Sequence, residues 1–360
     1  MIKLAYITRV SIPNKVAQAA QITSMCKSFH DALGKDFILV SPAKEIDPID
    51  NINFNRKIIN VRTKHKVLRN IIFSFKIFFF LRKNKVEHIY TRDVLISLVS
   101  TVFFRIPTCY EAHQPMRSYP SKLLQSIVAK NKFFKLVTIT KSLKDYYTHK
   151  NQYKNKITVI PNGAYLEDYQ INKTKNELRS ELNIDFDDFV IVHTGSLFEN
   201  RGFEKFEIIL KNNKSIKLIQ LGGNKHDIDK LKIKLSSYKN IQFIDYQPKS
   251  VVVKYQIAAD LLLYLTSEKS PIYWCTSPNK IFEYMSTKNP ILAPNIGSVS
   301  EILNESNSYV FNINNDSDLI HKINMIMNSN SEILTQRAYS EIVNNYSMSV
   351  RAKKILNLFT

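Results

Sequence analysis

The sequence predicts two doubly wound α/β domains in tandem. Three observations carry this expectation. Short apolar runs of strand length alternate with longer helical patterns in two successive series, the signature of parallel sheets covered on both faces. The chain has 360 residues, enough for two domains that each bury a core. Hydrophobic residues make up 44% and charged residues 23%, ordinary globular values that exclude disorder.

Residues 3–8 (KLAYIT) read as a buried parallel strand. Residues 17–30 read as a helix, with Gly34 as its C-cap. Residues 37–40 form the next strand. The alternation continues with strands at 88–90, 108–111, 136–140 and 157–160. Helices lie near 94–104, 121–134 and 142–149. Residues 163–187 are charged and lack a strand pattern, and read as a connector with one short helix. A second series follows, with strands at 189–194, 217–221, 241–245, 261–265 and 291–293. Its helices fall at about 203–210, 227–237, 250–259 and 279–286. The predicted domains are 1–163 and 164–345, with a tail helix over 346–360 crossing back onto the first. Two such domains imply a cleft, with ligands at the carboxyl ends of the strands facing it.

Charge is unevenly placed. Residues 1–165 hold 28 Lys and Arg against 9 Asp and Glu, whereas residues 166–360 hold 23 against 22. Nearly all of the net +20 therefore sits in the first half, which should seek phosphate-rich partners. General lysine enrichment would raise both halves and explains the asymmetry poorly. The three cysteines, Cys26, Cys109 and Cys275, form no CxxC pair, so neither a disulfide framework nor a zinc site is expected, and a reducing cytosol fits. The stretch MIKLAYITRV is too short and polar for a signal peptide, and the longest apolar run, 71–81, is too short to span a bilayer. Residues 61–85 place two basic clusters around an aromatic-rich core. That pattern suits a helix lying on an anionic membrane. A buried domain helix with solvated ends is the plainer alternative.

Glycine is scarce, at seven residues, so its positions carry information. Gly195 and Gly202 bracket the run from His193 to Gly202, which follows a predicted strand and enters a helix. Such a turn lets backbone N–H groups approach an anion, and Arg201 adds a forked cation suited to phosphate. A second constellation runs from Cys275 through Thr276, Ser277, Pro278 and Lys280 to Glu283 and Met285. Pro278 suits a first helical turn, and Thr276 or Ser277 is a candidate cap. Lys280 and Glu283, three apart, share a helix face, either as an exposed ion pair or as a phosphate cation beside a ribose acceptor. In the first domain Tyr110-Glu111-Ala112-His113 places a histidine just past a strand, at its carboxyl end.

With these residues in view, the chain resembles the family 4 glycosyltransferases of the GT-B fold. The likeness rests on G-x5-[K/R]-G after the first strand of the second domain and on S-P-x-K-x-F-E-Y-M later. Residues 139–143, 159–163, 221–223, 258–260 and 297–302 agree in order and spacing. The resemblance spans nearly the whole chain, most strongly 157–303, and says little about which sugar.

The resemblance implies a retaining hexosyltransferase that uses a nucleotide-diphosphate sugar, UDP- or GDP-linked, with no metal and no other cofactor. It implies that Arg201 and Lys280 hold the donor diphosphate and that Glu283 accepts the ribose hydroxyls. Gly195, Ser196, Gly202, Gly222, Gly223, Thr276, Ser277 and Pro278 would line the diphosphate and sugar. The base would lie against Tyr246 and Gln247. His113 would sit near the sugar and the departing phosphate. Three positions depart from the family pattern: Cys275 replaces the first glutamate of E-x7-E, Ser196 replaces an arginine, and Asp245 replaces a frequent glycine. The first loop, residues 9–18, lacks the family's glycines, and Asn14 and Lys15 are its candidate acceptor or phosphate contacts.

The expected acceptor is a glycan, lipid-linked, in bacterial surface polysaccharide assembly. The expected location is cytoplasmic, peripheral at the inner face of the membrane. Two other readings remain: a basic nucleic-acid-binding protein, which charge favours but no motif supports, and a GT-B relative that epimerises or phosphorolyses sugars.

Overall fold

The structure is a computed structural model that describes residues 1–12, 17–42, 53–61, 63, 65–149, 153, 157–197 and 200–360. The chain folds as two units: Met1–Asn162 together with Met348–Thr360, and Gly163–Ser347.

The first unit holds a seven-stranded parallel sheet. Its strands are β1 (Ile2–Ile7), β2 (Phe37–Pro42), β3 (Arg56–Ile59), β4 (Val86–Thr91), β5 (Thr108–Ala112), β6 (Phe134–Thr138) and β7 (Ile157–Val159), in the order β3-β2-β1-β4-β5-β6-β7. Between them run α1 (Ala17–Leu33), α2 (Lys66–Lys83), α3 (Val94–Leu98), α4 (Tyr119–Ala129) and α5 (Lys141–Thr148). Parallel pairing forces crossover connections, and their right-handedness puts α1 on one face of the sheet and α2, α3 and α4 on the other. Consistent with this, α2 touches α3 and α3 touches α4.

Helix α2 settles how the aromatic run is used. Phe73, Ile77 and Leu81 recur every four residues and are buried against β-strand side chains such as Ile7, Val40 and Ile89. Each such side chain contributes about 1.5–3 kcal/mol. The opposite face of the same helix is exposed, at Ile71, Phe75 and Phe79. Among the described residues no helix is long and apolar enough to cross a membrane.

Three local expectations are corrected. Helix α4 stops at Ala129, not 134, because Asn131 turns the chain: its carboxamide accepts from the Phe133 N–H at 2.9 Å and donates to the Thr101 carbonyl at 3.2 Å. The helix expected over 94–104 is α-helical only to Leu98 and then widens into a π-turn, Val99–Phe103. Strand β3 was not expected, and only Ile59 of its four residues is buried, as befits an edge strand.

The second unit repeats the plan with six parallel strands: β8 (Phe189–Thr194), β9 (Ile216–Leu221), β10 (Ile241–Ile244), β11 (Leu261–Leu263), β12 (Ile291–Pro294) and β13 (Tyr309–Phe311), in the order β10-β9-β8-β11-β12-β13. Its helices are α6 (Lys175–Glu181), α7 (Glu204–Asn212), α8 (Lys225–Lys234), α9 (Lys249–Ala258), α10 (Asn279–Met285), α11 (Asp316–Asn328) and α12 (Glu332–Glu341). Asp260 staples α6 to the sheet. It accepts from Lys175 Nζ at 2.5 Å and from the Val190 N–H at 2.7 Å, and pairs with buried Arg179.

The incoming and outgoing segments of this unit run side by side. Ala164 bridges Ser347, and its N–H donates to the Tyr346 carbonyl at 3.2 Å. A side chain at Gly163 would meet that carbonyl oxygen at 2.0 Å, so only glycine fits. Beyond it, α13 (Met348–Leu356) returns to the first unit and packs on α1.

Candidate active site

In each sheet the strand order reverses next to the first strand, between β1 and β4 and between β8 and β11. Ligands of doubly wound sheets bind outside the carboxyl ends of the strands at such a switch point. In the second unit the turn after β8 carries Gly195, and α10 brings Lys280 onto it. A side chain built on Gly195 would lie 2.8 Å from the Lys280 ammonium, and φ is +104° there, so glycine alone lets the lysine settle. The Lys280 ammonium also sits 5.8 Å from the Tyr264 ring centre, just past β11.

Burial, with the Arg201 charge adding to it and Glu283 partly opposing, pushes Lys280 down to about 7. Arg201 is half-buried in the loop before α7, and its charge also bears on His193 and Tyr264. Two cations crowd together here, and among the described residues no carboxylate is bonded to Lys280. An anion entering this turn would relieve them.

Glu283 is held away from Lys280. It accepts from Lys249 Nζ at 2.6 Å and from Gln256 Nε2 at 3.3 Å. Burial would raise its carboxyl, but Lys249, Gln256 and Lys280 hold it below the usual value. It is an ionised acceptor with partial solvent access. Tyr169 completes the frame, taking a hydrogen bond from Lys249 at 2.9 Å and donating to Gln256 at 3.0 Å.

Gln220 ties the glycine turns together. Its Nε2 donates to the carbonyls of Gly195 at 3.0 Å and Gly222 at 2.8 Å, while its Oε1 meets buried His193 Nδ1 at 2.5 Å. Gly223 packs near Leu197 and Ile228, and Gly202 near the Thr266 carbonyl. The structure thus brings Gly195, Gly222 and Lys280 together. Ser196 is exposed, as is Tyr246 in the loop after β10, and Gln247 beside it is half-buried. Cys275 is fully buried and Ser277 nearly so. Neither Thr276 nor Ser277 caps α10: Pro278 is itself the N-cap and makes no side-chain bond. The Thr276 carbonyl instead accepts from Ser298 Oγ at 2.5 Å. Asn279 carries a buried carboxamide oxygen that no group among the described residues satisfies.

In the first unit His113 follows β5 and its Nε2 meets buried Glu111. Burial would raise the Glu111 carboxyl, but Arg351 and His113 hold it at about 2. Burial, with Arg92 adding to it, lowers His113 to about 4. At neutral pH the imidazole is therefore uncharged. Because the carboxylate only accepts, Nε2 must donate, which leaves Nδ1 as an acceptor. Glu111 also pairs with Arg92 at 2.8 Å and with Arg351, which α13 inserts into the core and which donates to the Pro161 carbonyl at 2.8 Å. Asn14 and Lys15 lie outside the described residues.

Sequence reasoning missed Gln220, Lys249, Gln256, Arg92 and Arg351. Two signals were available: an amide inside the apolar strand KLIQL, and an arginine on the apolar side of the tail helix. Lys249 and Gln256 offered none.

Residues 188–329 match the family model of glycosyl transferases group 1. No curated protein matches the chain in sequence. Several solved structures share its architecture. HepE from Anabaena, in complex with UDP and glucose, aligns over 99% of both chains at 13% identity, with a TM-score of 0.78. A glycosyltransferase from Rickettsia africae aligns over 99% of this chain and 98% of its own at 18% identity, with a TM-score of 0.81. WaaG, a glycosyltransferase involved in lipopolysaccharide biosynthesis, aligns over 99% of both at 15% identity, with a TM-score of 0.70. With two Rossmann-like parallel sheets, these likenesses and the match to group 1 glycosyl transferases over residues 188–329, the chain has the GT-B fold.

Proposed function

We propose that the protein is a retaining, family 4 glycosyltransferase that moves a hexose-type sugar from a nucleotide-diphosphate donor to a glycan acceptor. The observation that carries this is the Lys280 ammonium seated on the Gly195 turn beside Arg201, with ionised Glu283 one helical turn away. Cations at a parallel-sheet switch point suit a diphosphate, and a carboxylate beside them suits ribose hydroxyls. HepE binds UDP and UDP-glucose, which supports a UDP-linked donor for this chain. WaaG is involved in lipopolysaccharide biosynthesis, which supports a lipid-linked surface glycan as acceptor. The location that follows is peripheral, at the inner face of the bacterial cytoplasmic membrane.

The reaction breaks the bond between the sugar's anomeric carbon and the diphosphate oxygen. An acceptor hydroxyl oxygen attacks from the same face, and its proton passes to the departing phosphate oxygen. Arg201 and Lys280 stabilise the charge that develops on the diphosphate, without a metal. The Gly195 and Gly222 turns supply backbone near it, and His113, neutral with an accepting Nδ1, is assigned to the sugar. A panel of UDP- and GDP-sugars tested by thermal stabilisation identifies the donor. Arg201→Ala and Glu283→Ala should each cut transfer by about a hundredfold or more while the protein stays folded. Full activity in both variants would remove the assignment.

A further inference from the structure

The first unit presents an apolar surface that its own fold leaves uncovered. Of the seventeen large hydrophobic side chains exposed among the described residues, ten belong to α2, the π-turn and α4, which lie on one face of the sheet. The others are scattered, as is ordinary on a protein surface. Along α2 the exposed positions Val67, Ile71, Phe75 and Phe79 recur every four residues and make a stripe about 18 Å long. The stripe continues sideways through ring contacts: Phe75 with Phe79 at 4.9 Å, Phe79 with Phe78 at 5.9 Å, and Phe78 with Phe103 at 6.1 Å. Phe103 stands on the π-turn and is 64% exposed. On α4 a second stripe, Tyr119, Leu123 and Ile127, keeps the same spacing.

The surroundings of this surface are one-sided in charge. Residues 61–144 contain 17 Lys and Arg but only three acidic residues, Glu87, Asp93 and Glu111. Asp93 is spent on Arg9 and on capping α3, and Glu111 is buried. Arg82, Lys83, Arg105, Lys130 and Lys132 are exposed and form no ion pair among the described residues. Beside Phe103 the surface opens into a hollow of about 430 Å³, lined by Thr101, Val102, Arg105, Asn131, Lys132 and Phe133. It lies where the chain enters β5 and β6, at the end of the strands opposite His113. Arg105 holds φ at +54°, left-handed backbone that a non-glycine residue rarely adopts.

Apolar side chains ringed by unpaired cations match one environment, a bilayer with acidic headgroups. A second copy of the chain fits poorly, since a two-fold contact would set this patch against itself and bring the cations together. We propose that the face formed by α2, the π-turn and α4 docks on an anionic phospholipid bilayer. Phe75, Phe79 and Phe103 enter the acyl layer, and the Arg105–Lys132 hollow takes a lipid phosphate. This names the surface for the membrane-linked acceptor proposed above and rests on that reading.

Sedimentation of the full-length protein with vesicles tests it. Phosphatidylcholine vesicles with about 30% phosphatidylglycerol should capture the protein at about 0.15 M salt, and pure phosphatidylcholine should not. Phe75→Ser with Phe103→Ser should weaken partitioning at least about tenfold. Arg105→Gln with Lys132→Gln should weaken it about tenfold or more. Both pairs should keep the wild-type melting temperature and its shift with nucleotide sugar. A tryptophan introduced as Phe103→Trp should be quenched by brominated acyl chains, while Trp274 in the second unit should not. Equal partitioning of both variant pairs and the wild type would overturn the proposal. So would equal capture by pure phosphatidylcholine, a wild-type dimer that the Phe variants split, or RNA binding without vesicle binding. No donor is present in the sedimentation, so failure here leaves the transferase reading standing, and failure of nucleotide-sugar stabilisation leaves the vesicle result standing.

Discussion

Lys280 titrates near neutrality because burial and the Arg201 charge both disfavour its ammonium. The sign of the consequence is fixed. As pH rises through 7 the free protein loses this charge, whereas a bound diphosphate favours keeping it. Nucleotide-sugar affinity should therefore fall toward pH 8, by up to about tenfold per unit. Lys280→Met should bind weakly and without that slope, and titration calorimetry at several pH values reads both. Lys280 and Arg201 were legible because each stands beside a glycine turn or a helix start in a chain with little glycine. Glu283 was legible as a carboxylate three residues after Lys280. Its actual partners were not, because Lys249 and Gln256 reach it from α9, about 30 residues earlier, and sequence spacing carries no sign of that approach.

Helix α13 is where a short element bears on a distant site. Its Arg351 is 1% exposed and pairs with Glu111, which in turn fixes the His113 tautomer. Arg351→Ala would leave Glu111 with Arg92 as its one remaining arginine partner among the described residues. Breaking a buried pair of this kind costs about 3–5 kcal/mol, and the expected outcome is a melting temperature lowered by several degrees in a calorimetric scan. Arg351→Lys should recover less than half of it, since one ammonium cannot serve both Glu111 and the Pro161 carbonyl as the forked guanidinium does. Most strands were readable because parallel strands buried on both faces appear as plain apolar runs, as at 189–194. Strands β3 and β13 were not, being three or four residues long at sheet edges. Helices α11 and α12 went unassigned because their polar faces dilute the apolar period over residues 316–341.

At the scale of the molecule, the repeated alternation was enough for the fold class, and the charge imbalance was enough to single out the first unit. What composition left unsaid is where its cations and aromatics come to the surface, which depends on α2 turning one phenylalanine into the core and the next outward. The glycine at 163 has a wider consequence. Because Gly163 and Tyr346 touch, the second unit starts and finishes at one place, and the first unit is interrupted there without being stretched. In engineering terms the second unit is a cassette. Residues 163–347 produced alone should melt cooperatively and keep the nucleotide-sugar shift. Joining residue 162 to 348 through a short linker should yield a folded first unit, still closed by α13. Circular dichroism melts of the two pieces decide it, and a first unit that fails to fold without its insert would show that the cassette is structural and cannot be exchanged.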